Sequence, residues 1–274
     1  MQALQQIGID AGGTLIKLAM STVDGLQFHY FQSSELNECA QWLAAHFPNA
    51  RLAMTGGRAE RLAAQIKGTR PLLIPEFEAS LKGAYVLINR SPSATLNDYV
   101  LVNVGTGTSL FAVHRDKSER LGGSGVGGGT LLGLSALLIG SHSFDAIIQL
   151  GQAGARDRVD QSVASIYEGK EPPIPGDLTA SNFGHAVWNK AVSSADKAAA
   201  IIGLVAETVC TMAILAAQKE RVEDIVYIGS TFSGNRPMRR IIESYCQFNG
   251  MRPHFFDEGG FCGAIGALCT LDVK

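Results

Sequence analysis

Four short runs rich in glycine and hydroxyl residues have the composition of anion-binding loops. In the first run, DAGGTLIK, Gly12 and Gly13 carry no Cβ, so their backbone N–H groups can approach phosphate oxygens closely. Thr14 adds a hydroxyl and Lys17 a cation, while Asp10 is placed to hold hydrated Mg²⁺. Taken alone, an ordinary strand and turn with a capping aspartate explains this run equally well.

The second run, NVGTGTS at 103–109, has a composition that disfavours a β-strand but suits a second phosphate-binding loop. The predicted binding residues are Thr106, Gly107 and Thr108. A plain hairpin turn is the alternative. It is disfavoured because a strand, a glycine turn and a second strand occur both at 7–20 and at 100–113, which predicts a duplicated domain.

The third run, GGSGVGGGT at 122–130, leads directly into an apolar helix expected over 130–140. Free backbone amides before a helix N-terminus form an anion site, since the helix dipole and the unpaired N–H groups act together. A flexible linker does not run straight into an apolar helix. The predicted phosphate-binding residues here are Gly128, Gly129, Thr130, Leu131 and Leu132.

The fourth run, VYIGSTFSGN at 226–235, reads as a strand followed by a Gly/Ser turn that could hold a nucleoside. An ordinary strand–turn–helix explains it equally well.

The elements that must position these loops alternate between strands and helices, which predicts an α/β fold. The expected strands include QIGID, RLAMT and PLLIPEF, and helices are expected over 35–47 and 196–219, with another beginning near Glu78. At ~150 residues per domain, a chain of 274 residues suggests two domains. The polar run RSPSATLN is the expected boundary, dividing the chain into 1–94 and 95–274.

Composition excludes several classes of protein. A net charge of −2 argues against a nucleic-acid partner, which a basic face would indicate. No signal peptide is evident, and five cysteines without a CxxC pair suit free thiols, so a cytoplasmic location is expected. The apolar segment 198–217 contains Glu207 at its centre, which favours a buried helix over a membrane span.

Taken together, these motifs resemble the acetate kinase/hexokinase/Hsp70/actin superfamily and, within it, the bacterial type II pantothenate kinases. The resemblance covers nearly the whole chain and is carried in order by DAGGTLIK, TGGRAE, EFEAS, NVGTGTS, GGSGVGGGTLLGLSALL, EPPIPGDLTASNFGH, VYIGSTF and GGFCGAIGAL. It implies a two-lobed actin-like ATPase fold (ribonuclease H-like), with the nucleotide in a cleft between the lobes. No physical role is evident for the run at 171–185.

The resemblance also implies roles that the residues alone do not show. Asn103, where many relatives have an acid, cannot take a proton, and the family pattern assigns the catalytic base to Glu76. From the residues alone, Glu76 and Glu78 are indistinguishable. The family pattern places Arg120 at the phosphoryl acceptor and Tyr245 at the substrate of the neighbouring subunit.

By the same resemblance, Phe144 and Ser230 contact the adenine side of ATP. The implied activity is phosphorylation of pantothenate to 4′-phosphopantothenate, the first step of coenzyme A biosynthesis, with ATP and Mg²⁺ in a homodimer. The alternatives are a sugar or amino-sugar kinase of the same superfamily, or an ATPase switch that has no acceptor.

Overall fold

The first half of the chain forms a five-stranded sheet with three helices. The computed structural model describes residues 5–23, 25–91, 96–115, 117–167, 169–189 and 191–271. The strand order is β3-β2-β1-β4-β5, with β1–β2–β3 antiparallel and β4 and β5 added in parallel. The elements are β1 (Gln6–Ala11), β2 (Leu15–Thr22), β3 (Gly25–Gln32), α1 (Leu36–His46), β4 (Arg51–Thr55), α2 (Ala59–Ala63), β5 (Leu72–Leu73) and α3 (Glu76–Arg90).

The second half repeats this topology around a sheet of order β12-β11-β6-β7-β8. Its main elements are β6 (Tyr99–Val104), β7 (Thr108–His114), β8 (Lys117–Ser124), α4 (Gly128–Ile139), α5 (Phe144–Ala153), α7 (Ser194–Glu220), β11 (Asp224–Ile228), α8 (Arg236–Phe248), β12 (Arg252–Phe255) and α9 (Cys262–Cys269). Between α5 and α7, the described residues form a small two-stranded ladder, the short helix α6 (Val163–Tyr167) and two 3₁₀ helices (Arg156–Arg158 and Gly184–Val187). The ladder strands are β9 (Gln161–Ser162) and β10 (Thr179–Ser181).

The helices α3 and α9 cross each other tightly, and their apolar side chains join one core with residues of both sheets. A Cβ on Gly266 would lie 1.8 Å from the carbonyl oxygen of Ala79, and one on Gly83 would lie 2.0 Å from that of Cys262. Helix α9 also packs on β1, where a Cβ on Gly8 would lie 2.0 Å from the carbonyl oxygen of Ala264. Glycine therefore sets the distance between these elements.

Helix α7 forms the core of the second half. Among the described residues it is long and apolar enough to span a membrane, as are α4 and α5 if that pair, bent by 70°, is counted as one span. Within α7, however, 72% of the apolar window is buried inside the protein. This confirms the expectation of a buried helix.

Two expectations about local structure are wrong. The strand expected over PLLIPEF shortens to Leu72–Leu73, and α3 begins at Glu76, directly after Pro75, rather than near Glu78. The glycine run at 122–130 is not a continuous loop, since 122–124 end β8 and pair with β7. The first difference arises because Pro75 is suited to the start of a helix. The second arises because residues 122–124 pair with β7 and so extend β8.

Candidate active site

The glycine turns of the two halves face each other. The hydroxyl oxygens of Thr14 and Thr106 are 3.1 Å apart and form a hydrogen bond between the β1–β2 turn and the β6–β7 turn. A Cβ on Gly13 would lie 3.2 Å from the same Thr106 oxygen. The structure therefore brings together the two loops that the sequence predicts to bind phosphate.

Both turns present backbone N–H groups that no protein acceptor uses. In the described part of the chain this holds for the amides of Gly13, Thr14, Thr106 and Gly107. Gly13, Thr14 and Thr106 are exposed. The amide of Gly12 differs, since it donates to the Leu15 carbonyl at 3.0 Å. Unpaired amides on two facing turns suit an anion such as a phosphate chain.

The first turn is braced by two residues to which the sequence analysis assigns no role. Ser33 Oγ donates to the carbonyl of Gly12 at 2.7 Å, and Arg58 Nη1 donates to the carbonyl of Ser33 at 2.8 Å. The Arg58 amide also donates to the Ala11 carbonyl at 3.0 Å. In the sequence, the only signal for this bracing role is that Arg58 lies within TGGRAE, one of the motifs that carry the family resemblance.

Asp10 and Lys17 form an ion pair at the base of the first turn. They are opposite each other on β1 and β2, with Lys17 Nζ 2.6 Å from Asp10 Oδ2. Two glycines leave room for the carboxylate, because a Cβ on Gly56 would lie 2.8 Å from Oδ1 and one on Gly263 would lie 2.9 Å from Oδ2. Mg²⁺ keeps several waters and takes one or two carboxylates besides substrate phosphates, so this largely buried carboxylate fits that role.

Glu76 is the first residue of α3, and the charges of this ion pair shift the pKa of its carboxyl group. Burial raises its pKa, the charge of Asp10 raises it further, and Lys17 opposes both. One turn later, Ser80 Oγ accepts a hydrogen bond from Asn103 Nδ2 at 3.5 Å, so this face of α3 lies against the end of β6. A carboxyl group with a raised pKa beside phosphate loops is suited to accept a proton.

Glu78 lies in a different environment from Glu76. Both side chains are exposed, but Glu78 pairs with Lys82 at 2.7 Å along the helix surface, whereas the pKa of Glu76 is shifted by Asp10 and Lys17. The structure therefore separates two acids that the sequence alone leaves equivalent.

The third glycine run holds the second turn in place, and the expectation of free amides throughout it is wrong. The amides of Gly128 and Gly129 donate to the carbonyls of Gly105 and Thr106 at 2.8 and 2.9 Å. Thr130 Oγ1 closes the turn by donating to the Gly125 carbonyl at 2.9 Å. In the next turn of the helix, Leu131 is buried in the core of the second half and Leu132 packs against it.

The turn after β11 also contacts the second phosphate loop. Ser230 begins a short 3₁₀ helix in which Thr231 Oγ1 donates to the Gly105 carbonyl at 3.1 Å. Gly229 has a φ of +111°, and a Cβ there would lie 2.2 Å from the Val104 carbonyl oxygen. The expected nucleoside turn is thus adjacent to the phosphate loop. Phe144, expected on the adenine side, begins α5 and packs partly buried against the core.

Arg120 lies on the same side of the second sheet as the start of α3. It is opposite Phe111 in the β7–β8 pair, and the Phe111 ring stacks on Phe77, the residue after Glu76, with centroids 4.7 Å apart. Directly opposed residues in a sheet project from the same face. The Arg120 side chain is exposed and makes no ion pair within the described residues, so its guanidinium is available to a ligand.

Tyr245 belongs to a separate, largely buried polar cluster around Glu207. Its hydroxyl donates to Glu207 Oε1 at 2.8 Å, and burial together with the Glu207 charge raises the pKa of Tyr245 to about 12. The same carboxylate pairs with Arg156 at 2.6 Å and accepts hydrogen bonds from Thr179 at 2.7 Å and Asn182 at 3.1 Å. Glu207 therefore anchors the run at 171–185 to α7, which supplies the structural role that the sequence did not.

The repeated sheet topology and the two facing glycine turns define the actin-like ATPase fold. The fold is similar to that of component A of (R)-2-hydroxyglutaryl-CoA dehydratase from Acidaminococcus fermentans, with a TM-score of 0.66 and 18% identity over 98% of this chain and 97% of that one. It is also similar to a ROK family glucokinase from Streptomyces griseus in complex with glucose and AMPPNP, with a TM-score of 0.55 and 13% identity over 97% and 98%.

The sequence comparisons are more specific than the fold. The family model described as Fumble matches residues 20–270. Type II pantothenate kinases of Staphylococcus haemolyticus and Staphylococcus aureus are each 39% identical over 265 residues, which is 96% of this chain and 98% of theirs. The chain belongs to the type II pantothenate kinase family. The predicted fold class and family resemblance are thereby confirmed.

Proposed function

We propose that this chain transfers the γ-phosphoryl group of ATP to the primary hydroxyl of pantothenate, giving 4′-phosphopantothenate and ADP in the first step of coenzyme A biosynthesis. The observation that carries the proposal is the 39% identity to type II pantothenate kinases over almost the full length of both chains. The facing phosphate turns and the nearby acid supply the chemistry that such a transfer needs.

In the proposed reaction, Glu76 accepts the proton of the hydroxyl as its oxygen forms a bond to the γ-phosphorus. The bond between that phosphorus and the β–γ bridging oxygen breaks, and ADP leaves. The free amides of the two turns, together with Lys17 and Arg120, stabilise the charge on the phosphoryl oxygens. Positioning and electrostatics account for most of the rate in phosphoryl transfer, and these groups provide both.

We also propose Mg²⁺ as the metal, held by Asp10 through water. When bound, the ion would neutralise negative charge on the phosphates of ATP. The donor set fits, because a single carboxylate beside a phosphate site, with room left by Gly56 and Gly263, matches the preference of Mg²⁺ for water and phosphate ligands.

We further propose that the protein is a cytoplasmic homodimer in which Tyr245 contacts the substrate bound by the neighbouring subunit. Its support is the family resemblance and two exposed apolar side chains on packed helices, Leu137 of α4, which is 83% exposed, and Leu215 of α7, which is 61% exposed. Light scattering should give twice the chain mass of 29.1 kDa, and Leu137→Asp should shift the mass toward the monomer. A wild-type monomer at micromolar concentration would contradict the dimer.

The activity is tested by coupled ADP release with pantothenate, with N-acetylglucosamine and without acceptor. We expect ADP release to depend on pantothenate and to match the 4′-phosphopantothenate formed. Release that depends on N-acetylglucosamine would identify an amino-sugar kinase. Release that needs no acceptor would identify an ATPase.

A further inference from the structure

Thr55 carries a buried hydroxyl next to Asp10 for which the fold provides no partner. It is the last residue of β4 and is paired with Asp10 of β1 in the parallel register. Thr55 is 1% exposed, and among the described residues its Oγ1 has no hydrogen-bond partner. An unsatisfied buried hydroxyl is costly to folding, so its presence beside a functional carboxylate requires an explanation.

Thr55 and Lys17 flank Asp10 from opposite sides, because β1 lies between β4 and β2 in the sheet. Lys17 pairs with Oδ2, whereas a Cβ on Gly56, the residue after Thr55, would lie 2.8 Å from Oδ1. Neighbouring residues in register project to the same face of a sheet, so the Thr55 hydroxyl and the Asp10 carboxylate share one face. Carboxyl ends of parallel strands are also where α/β proteins bind their ligands.

The second half shows that the fold itself does not need a hydroxyl at this position. The equivalent residue is Ile228, which ends β11, pairs in register with Asn103 and precedes Gly229. Ile228 is also 1% exposed, and Gly229, like Gly56, has a positive φ. An apolar side chain fills the corresponding place where no carboxylate is present.

We propose that Thr55 is a positioning residue for Asp10, holding a water that the carboxylate shares and that belongs to the hydration shell of the bound divalent cation. Waters in protein interiors occupy sites beside buried polar groups that lack other partners, and groups behind a ligating carboxylate fix its orientation. The proposal rests on the proposed use of a metal–ATP complex, but it does not depend on which acceptor is phosphorylated.

The test compares Thr55→Val, which removes the hydroxyl at nearly constant volume, with Thr55→Ser, which keeps it. Ser135→Ala is the matched control, since Ser135 Oγ on α4 is also buried without a partner among the described residues. Because no hydrogen bond within the protein is lost, we expect the melting temperature of the free protein to stay equal or rise in Thr55→Val and Ser135→Ala. A fall of more than about 4 °C in Thr55→Val would overturn the proposal, since the hydroxyl would then be structural.

The decisive measurement is Mn²⁺ binding, followed by electron paramagnetic resonance in the presence of a non-hydrolysable ATP analogue and without acceptor. We expect Thr55→Val to weaken Mn²⁺ binding by about tenfold or more, Thr55→Ser to remain within about threefold of wild type, and Ser135→Ala to be unchanged. Wild-type Mn²⁺ affinity in Thr55→Val, or an equal loss in Thr55→Ser, would overturn the role of the hydroxyl.

Kinetics separates this proposal from the proposed function. With pantothenate as acceptor, Thr55→Val should raise the Mg²⁺ concentration for half-maximal rate while leaving the KM for pantothenate within about twofold of wild type. A rise in the KM for pantothenate with no change in Mg²⁺ dependence would contradict the proposal. If wild type instead shows no pantothenate-dependent release, the proposed function fails, whereas the Mn²⁺ result still decides the role of Thr55.

Discussion

The two glycine turns occupy equivalent places in the two halves, yet they carry different chemistry. In the first half, Asp10 and Lys17 are opposite each other and form an ion pair of 2.6 Å. In the second half, the corresponding pair is Asn103 and Ser109, both uncharged. The backbone repeats, whereas the ion pair at the base of the first turn is replaced by two uncharged residues at the second.

The helices behind the turns follow the same division. The α3–α9 crossing is reciprocal, with Gly266 against Ala79 and Gly83 against Cys262. In each helix, the residue after the contacted one lies against a glycine-turn strand of the other half. Ser80, which follows Ala79 in α3, contacts Asn103 of β6, and Gly263, which follows Cys262 in α9, lies against the carboxylate of Asp10 in β1. The two halves thus share a symmetric backbone frame and differ in single side chains at equivalent positions.

The largest effect is expected at Glu76, the proposed proton acceptor at the start of α3 in the first half. Glu76→Gln should lower kcat by about 10²–10⁴-fold and leave ATP affinity nearly unchanged, because only the proton acceptor is lost. Glu78→Gln is the control and should keep wild-type kcat, since Glu78 pairs with Lys82 at the surface. Near-normal turnover in Glu76→Gln, measured by coupled ADP release, would remove Glu76 from the mechanism.

The reciprocal helix crossing predicts equal losses of stability from its two sides. Gly266→Ala and Gly83→Ala should each lower the free energy of unfolding by about 1–3 kcal/mol or more, because the added Cβ meets backbone atoms within 2.0 Å. Gly133→Ala in α4, where a Cβ meets open space, should instead raise it by about 0.5–1 kcal/mol. Urea titrations measure all three, and a neutral Gly266→Ala would contradict the close approach.

Exchanging the acid and the amide between the two turns tests the electrostatics of Glu76. Its pKa is raised by burial and then by Asp10, and the base must be deprotonated to act, so kcat/KM falls as pH drops through this raised pKa. Asp10→Asn should move this acidic limb to lower pH in the residual activity. Asn103→Asp should move it to higher pH. Shifts in the same direction in both variants would show that the limb does not report Glu76.

The smallest effect is expected from the hydrogen bond that joins the turns. Thr14→Val and Thr106→Val each remove the same 3.1 Å contact between exposed hydroxyls, so their effects on ATP affinity should not add. A double-mutant cycle measured by calorimetry should give a coupling free energy of about 0.5–1 kcal/mol. Full additivity would mean that the two hydroxyls act independently.

The sequence predicts the loops better than their surroundings. Glycine next to threonine marks a turn whatever follows in space, so the turns at Gly12 and Gly105 are found directly. The placement of 122–124 in β8 depends on pairing with β7, and the role of Glu207 depends on partners distant along the chain. The orphan hydroxyl of Thr55 is invisible in sequence, because it is defined by the absence of a partner in three dimensions.

The position of α9 has a consequence for how the protein is made. Of the described helices, α9 leaves the ribosome last, yet it packs on β1, the earliest of the described strands to be synthesised. The backbones of β1 and α9 come closest at Gly8, where an added Cβ would lie 2.0 Å from the carbonyl oxygen of Ala264. The sheet of the first half therefore emerges before the helix that covers one of its faces, and its core is complete only after α9 has been synthesised.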